Sequence, residues 1–460
     1  MIDVDVAVIG GGVVGCAVAR ELAGRQTDGR PVAVALVEAR GDVGDVTSKA
    51  NTAILHTGFD AAPGSLESTM VSRGYDLLSA YAGDTGIPVE ATGALLVAWT
   101  EEELSTLPAL RDKAARNGYA DAVPVNSAYD HVPALGPGAL GGLLIPGESI
   151  ICPWTTTLAY ATDALARGAR LLLNHRVTSA DVGADATVLS TTGGDVRTRW
   201  VVNAAGLGSD RVDAMFGHRR FTVVPRRGEL LVFDKLARAS VPRIVLPVPS
   251  AKGKGVLVSP TIFGNVMLGP TSEDLADRHD TSTSAEGYAF LLAKGGVIMP
   301  GLMAEEVTAS YAGLRAATEH ADYVVDVDPA QRYVVLGGIR STGLTASMAL
   351  AERACDLIEG SGHRLDLRPD VPAPPRMPNL GEAFPRPYER VDLIEHDPDY
   401  GTIVCFCERV TRGEIRDALR SPIPPVDLDG LRRRTRAVMG RCQGFACGAE
   451  VDALLRGEGA

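Results

Sequence analysis

The residues Val4-Asp5-Val6-Ala7-Val8-Ile9 run directly into Gly10-Gly11-Gly12-Val13-Val14-Gly15, and the reading of this stretch decides the fold. A short β-branched run reads as a buried parallel strand. The helix formers that follow, Cys16-Ala17-Val18-Ala19-Arg20-Glu21-Leu22, require the glycines to open a helix. Gly10 permits the tight turn, and Gly12 lets backbone N–H groups approach a pyrophosphate at the positive helix end. Gly15 lets the helix pack on the strand, and Val13 and Val14 complete the opening turn. A second strand over residues 32–37 ends on Glu38, 23 residues past Gly15, near the interval of about 20 at which an acidic residue meets a ribose hydroxyl.

At 460 residues the chain exceeds one core, and the length prior is roughly three domains. An apolar content of 45% with 22% charged residues describes a soluble globular α/β protein. A net charge of −12 argues against nucleic acid as a partner and means that an anionic substrate needs a local cationic pocket. The N-terminal apolar run is broken by glycines, and no other run reaches roughly 18 apolar residues. The expectation is a cytoplasmic protein without a signal peptide or a transmembrane segment of its own. Of seven cysteines, Cys405, Cys407, Cys442 and Cys447 crowd the last sixty residues, which favours a metal site over disulfides.

Beyond Glu38, the loop Ser48-Lys49-Ala50-Asn51 and the sequence His56-Thr57-Gly58 resemble the FAD-dependent oxidoreductases of the D-amino-acid oxidase superfamily, in the glycerol-3-phosphate and L-2-hydroxyglutarate dehydrogenase branch. The resemblance implies that Ser48, Lys49, Asn51 and His56 pass close to the flavin. It also implies that Val177 meets the adenine through its backbone and that Ala205 and Gly206, in the turn after the strand at 200–203, lie near the FAD phosphates. The run Leu336-Gly337-Gly338-Ile339-Arg340-Ser341-Thr342-Gly343-Leu344-Thr345 ends a strand and starts a helix near Thr345. That amino end suits the charge gathering on a reduced flavin. By the same resemblance Gly338, Ile339, Arg340, Gly343, Leu344 and Thr345 are FAD contacts.

Residues 221–268 read as strands and turns of a sheet with one covered face, and Arg226, Arg227, Lys252 and Lys254 supply positive charge there. Arg227 and Lys254 are candidates for substrate binding, with a solvated surface as the alternative. Arg315 closes the strand Thr308-Ala309-Ser310-Tyr311-Ala312-Gly313-Leu314, and its planar fork suits a carboxylate or phosphate. In the resembled family an arginine in this setting grips the substrate anion.

Residues 366–400 are proline-rich and read as a stiff, extended strap. Beyond it, Cys405-Phe406-Cys407 and Cys442-Gln443-Gly444-Phe445-Ala446-Cys447 suit a [2Fe-2S] cluster or a tetrahedral zinc, and spacing alone does not choose. The tail resembles the BFD-like domain that binds [2Fe-2S], and the run Leu431-Arg432-Arg433-Arg434-Thr435-Arg436 with Met439-Gly440-Arg441 resembles the tail of anaerobic glycerol-3-phosphate dehydrogenase FAD subunits. The arginines would offset cluster charge, dock an acidic carrier, or form a solvated helix face.

The expected architecture is α/β: a Rossmann-like FAD-binding domain (1–85, 150–215, 320–365), an inserted β-rich substrate domain (86–149, 216–319), the linker 366–400 and a small helical BFD-like iron–sulfur domain (401–460). The expected activity is oxidation of a secondary alcohol beside an anionic group, with sn-glycerol 3-phosphate leading. His56 would act as the base and Arg315 as the anion grip, and electrons would pass through the cluster to a protein or quinone-linked acceptor. A 2-hydroxyacid such as L-2-hydroxyglutarate is the alternative substrate. A relay protein holding FAD and an iron–sulfur cluster, without a substrate of its own, is the alternative of another class.

Overall fold

The computed structural model describes residues 1–249 and 255–458. Lys252 and Lys254 lie outside the described residues. The central sheet carries five parallel strands in the order Arg170–Leu172, Val34–Val37, Ile2–Ile9, Val196–Asn203 and Tyr333–Gly337 among the described residues. Ile2–Ile9 is central because Val4 through Ile9 are all buried, apolar except for Asp5, which pairs with Arg30, so both faces are covered. The helices Val13–Ala23 and Gly343–Gly360 pack against each other on one face, with Leu66–Thr85 and Pro153–Ala166 beside them. Ser65 caps Leu66–Thr85 by accepting from the Ser68 amide, and Thr100 and Glu103 form a capping box at the start of Glu101–Arg116.

A second sheet takes Ala94–Ala98, Val123–Val125 and Gly141–Ile145 from one stretch of chain. From another it takes Val224–Phe233, Ile244–Pro247, Leu257–Pro260, Val266–Gly269, Glu273–Asp274 and Val307–Ala317. Its apolar face buries Leu95, Val97, Leu231, Phe233, Val258 and Leu268. The longest pairing in it joins Val224–Phe233 to Val307–Ala317 and sets Arg226 opposite Arg315.

The proline-rich segment is less of a free strap than its composition suggests. The Met377 amide bonds the Thr85 carbonyl, the Glu382 amide bonds the Ile262 carbonyl, and Arg386 is buried against Glu414. Residues Pro387–Glu389, Val391–His396 and Pro398–Gly401 then form short helical turns. The hairpin Ile403–Cys405 with Val410–Thr411 and the helices Arg412–Leu419, Leu428–Thr435 and Gly448–Leu455 close a small separate core around Val404, Ile415, Leu431 and Val451.

The arginine run is not a solvated face. Arg433, Arg434 and Arg436 are buried, and the first two converge on buried Asp42, at 2.7 Å from Arg433 Nη2 and 2.7 Å from Arg434 Nη1. Lys49 completes the contact by reaching Asp45 at 2.8 Å and Asp429 at 2.7 Å. The run clamps the C-terminal module onto the loop after Glu38, which no local sequence pattern could reveal.

Removing one partner of a buried ion pair strands the other charge at a cost of about 3–5 kcal/mol. Asp42→Ala is therefore expected to lower the unfolding free energy by about 3 kcal/mol or more in denaturant titrations. A loss below about 1 kcal/mol, typical of an exposed pair, would show that the clamp is a surface contact.

Candidate active site

The chain from Ile9 to Gly15 turns so tightly that side chains are excluded. Gly10 has φ +108°, and a Cβ added there would lie 2.5 Å from the Ala204 carbonyl oxygen. One added to Gly15 would lie 1.8 Å from the Gly10 carbonyl oxygen. Gly12 is the N-cap of Val13–Ala23 and has no side chain to offer, so the helix's free amides and its dipole face outward. The Val13 amide donates to Ser48 Oγ at 2.9 Å, which ties this helix end to the loop after Glu38.

These amides line a cavity of about 400 Å³. Gly343 and Leu344, at the amino end of the second helix, line the same cavity, and a Cβ added to Gly343 would lie 3.9 Å from Val14 Cγ2. Two helix amino ends thus share one cleft. Glu38 sits at its wall, its carboxylate accepting from the Gly11 amide at 2.6 Å and the Arg40 amide at 2.7 Å. Burial pushes the Glu38 carboxyl above its ordinary range, against the pull of those amides.

The cleft brings together most of the residues singled out from sequence: Gly10, Gly12, Val13, Val14, Glu38, Ser48, Asn51 and His56 line it. So do Val177, Ala205, Gly206, Gly338, Ile339, Arg340, Gly343 and Leu344. Five others do not. Gly15 packs beneath the turn, and Lys49 is spent on Asp45 and Asp429. Thr345 is fully buried, and its Oγ1 accepts from the His56 backbone amide at 3.0 Å, so it sits behind the histidine. Arg227 is engaged by Glu273 at 2.6 Å and Asp280 at 3.3 Å, and its guanidinium is not presented to an anion.

Arg315 also lies outside the lining, in a different state. It shares a strand face with Tyr311, whose hydroxyl donates to the Asn51 carbonyl at 2.8 Å, and with Gly313, which abuts Ala50. Gly228 makes room for it, since a Cβ there would fall 2.8 Å from Arg315 Nη2. Burial lowers the Arg315 pKa and Arg226 adds to the effect, and no carboxylate pairs with it among the described residues.

The sequence reading missed Glu148. Glu148 is fully buried and lies 2.9 Å from His56 Nδ1, while its other oxygen accepts from the Thr57 amide and hydroxyl. A carboxylate held this way accepts the Nδ1 proton and leaves Nε2 as the free ring nitrogen. The turn Pro146-Gly147-Glu148-Ser149 reads locally as an exposed bend. Only the pairing of Ser149–Ile151 with Ile54–Leu55 brings it under the histidine. Arg278 and His279 reach the cavity without a sequence signal as well, and Asp210 holds the Arg278 guanidinium at 2.5 Å and 2.7 Å.

Comparison with known proteins matches residues 5–357 to the family of FAD dependent oxidoreductases (DAO). The chain belongs to this family. Residues 403–456 match the BFD-like [2Fe-2S] binding domain. The chain is 32% identical over 462 residues to a glycerol 3-phosphate dehydrogenase of Caloramator mitchellensis, covering 99% of this chain and 94% of that one. It is 28% identical over 503 residues to one subunit of the anaerobic glycerol-3-phosphate dehydrogenase of Escherichia coli, covering 98% and 88%. Among solved structures, dithionite-reduced L-alpha-glycerophosphate oxidase from Mycoplasma pneumoniae with FAD bound superposes with a TM-score of 0.77 at 28% identity, over 82% of this chain and all of that one.

The residues present fit both groups. For FAD there are two amide-lined helix ends, a half-buried acceptor in Glu38 and glycines that keep the cleft open. For the cluster, Cys405 and Cys447 are buried while Cys407 and Cys442 are partly exposed. The amides of Ala446, Gly444 and Phe445 point at Cys442 and lower its pKa, as a thiolate ligand requires. Burial and the neighbouring thiols raise that of Cys447 to about 12, so metal binding must displace its proton. Gly440 keeps the ligand loops close, because a Cβ there would sit 2.3 Å from Cys407 Cβ.

Glu38→Ala removes a charged hydrogen-bond acceptor worth about 1.5–3 kcal/mol. FAD affinity, titrated into the cofactor-free protein, is expected to fall roughly 10–100-fold. An unchanged dissociation constant would remove Glu38 from the cofactor site.

Proposed function

We propose that this FAD-dependent oxidoreductase oxidises sn-glycerol 3-phosphate to dihydroxyacetone phosphate. The observation that carries the reading is the pairing of a cavity-lining histidine, fixed by a buried carboxylate, with a half-buried guanidinium that no carboxylate pairs with among the described residues. A partly desolvated cation without a counter-ion favours a ligand that supplies one, and a phosphate dianion does so with bidentate geometry. The nearly full-length likeness to proteins named as glycerol 3-phosphate dehydrogenases points to the same substrate.

Glu148 holds the Nδ1 proton, so His56 Nε2 is the acceptor for the proton of the substrate's secondary hydroxyl. Thr345 Oγ1 anchors the His56 backbone and Thr57 anchors Glu148, so the base cannot turn away. Arg315 fixes the phosphate and thereby the carbon that is oxidised. FAD, when bound, supplies the two-electron acceptor at that carbon. The cysteine-lined module supplies a one-electron exit, and Phe406 and Phe445 stand 74% and 96% exposed between its ligand positions. Apolar rings in that place suit a docking electron acceptor, either a carrier protein or a quinone-linked partner held in a membrane. No helix among the described residues is long and apolar enough to cross a membrane.

Mixing the protein anaerobically with candidate substrates tests the reading. sn-Glycerol 3-phosphate is expected to bleach the flavin quickly, and L-2-hydroxyglutarate, the substrate named for relatives matching 58% of the chain, slowly or not at all. The reverse order would replace the substrate. Arg315→Ala is expected to raise KM at least tenfold, whereas a relay protein without its own substrate would show no change.

His56→Ala is expected to slow flavin bleaching about 10²–10⁴-fold with FAD still bound. Glu148→Gln, which keeps the shape and loses the charge, is expected to lower kcat while leaving KM near its starting value. An equal rise in KM would mean that Glu148 serves the fold rather than the base.

A further inference from the structure

The C-terminal module touches the FAD-binding part through one residue whose position the clamp alone does not explain. Arg436 is the C-cap of Leu428–Thr435 and adopts φ +73°, the left-handed conformation in which glycine or asparagine is usual. An arginine there is held against its backbone preference by its side chain, which is 6% exposed and contacts three separate parts of the chain.

On the flavin side the guanidinium lies 4.4 Å from the centre of the Phe263 ring and 5.8 Å from that of Trp154, and the two rings stack at 4.7 Å. Trp154 Nε1 donates to the Lys49 carbonyl at 3.0 Å, between the cavity-lining residues Ser48 and Asn51. Toward the second sheet, Arg436 Nη2 donates to Asn265 Oδ1 at 3.1 Å. On the module side, its Nε donates to Glu408 Oε2 at 3.2 Å, and Glu408, 2% exposed, is the residue next to Cys407. Packed and hydrogen-bonded groups therefore run unbroken from the loop lining the cofactor cleft, through Trp154, Phe263 and Arg436, to a cluster-ligand loop.

We infer that Trp154, Phe263 and Arg436 form the bridge along which electrons pass from the flavin to the iron–sulfur cluster, with Arg436 the positioning residue that holds the module on it. The inference rests on the dehydrogenase reading and adds the route within the chain. Tunnelling falls steeply with each gap through empty space, so a continuous contact of this kind sets the rate. Two electrons and one proton leave the substrate carbon for the flavin. The electrons then cross singly, each reducing one ferric ion of the cluster to ferrous, and a one-electron carrier protein removes the first before the second follows. The flavin's proton returns to solvent.

The test uses the holoenzyme under anaerobic conditions. Flavin bleaching is followed by absorbance and cluster reduction by electron paramagnetic resonance of rapidly frozen samples, in wild type, Arg436→Gln and Trp154→Leu. Both variants are expected to bleach within twofold of wild type while cluster reduction slows at least tenfold. In Arg436→Gln, protease cleavage within 366–400 is also expected to rise, a readout that needs neither substrate nor turnover, and Arg436→Lys is expected to restore part of both. Trp154→Leu should keep the protease resistance, which separates a lost bridge from a detached module. Cluster reduction at the wild-type rate in both variants overturns the inference, as does slowing only in step with bleaching. Loss of the cluster from Arg436→Gln with normal transfer in Trp154→Leu also counts against it. Reducing the flavin by light with EDTA, without substrate, reads the same transfer, so an error in the proposed substrate and an error in the bridge give different results.

Discussion

The structure depends on the closeness of Gly10 and Gly15. The Gly10 carbonyl lies where a Cβ on Gly15 would sit, so the first helix can rise directly off the central strand with its free amides aimed into the cleft. That placement fixes the loop carrying Ser48, whose hydroxyl accepts from Val13, and the loop in turn carries Asn51 and leads to His56. The second helix meets the same cleft from the strand Tyr333–Gly337, and its Thr345 holds the His56 backbone. The proposed diphosphate site and the position of the proposed base thus follow from one backbone contact.

The loop after Glu38 has two faces with different work. One face lines the cofactor cleft, and the other is clamped through Asp42, Asp45 and Lys49 to the cysteine-bearing module. Buried arginines are expensive to desolvate, and Asp42 offsets that cost by accepting from two of them at once. The module's own core is small, so this network and the packed strap before it determine where it sits. Charge pairs of this kind, together with Ile423 packed into the main core, give the module a specific orientation, which suits a group that must exchange electrons with a fixed partner.

Sequence reasoning succeeded where chemistry is local. The glycine spacing, the acidic end of the second strand, the strand-to-helix turn before Gly343 and the paired cysteine motifs each need only their neighbours to be recognised. It fell short where a side chain's role is assigned by distant residues. Arg227 and Lys49 look like free cations until Glu273, Asp280 and Asp429 are seen beside them. Thr345 reads as a cofactor contact but faces the histidine, and Arg433 and Arg434 read as a basic surface but are interior. In each case the deciding partner lies tens to hundreds of positions away.

The sequence by itself determined the fold class and the two cofactor-binding modules, and singled out His56 as a proposed base, because glycine sterics, strand periodicity and thiol spacing act within a few residues. Only the tertiary structure decided that Glu148 orients His56, that Arg315 has no carboxylate partner among the described residues while Arg227 does, and that Arg436 links the cluster loop to Trp154. Those outcomes depend on which charges are desolvated together, and desolvation is a property of the packed molecule that no stretch of chain carries alone.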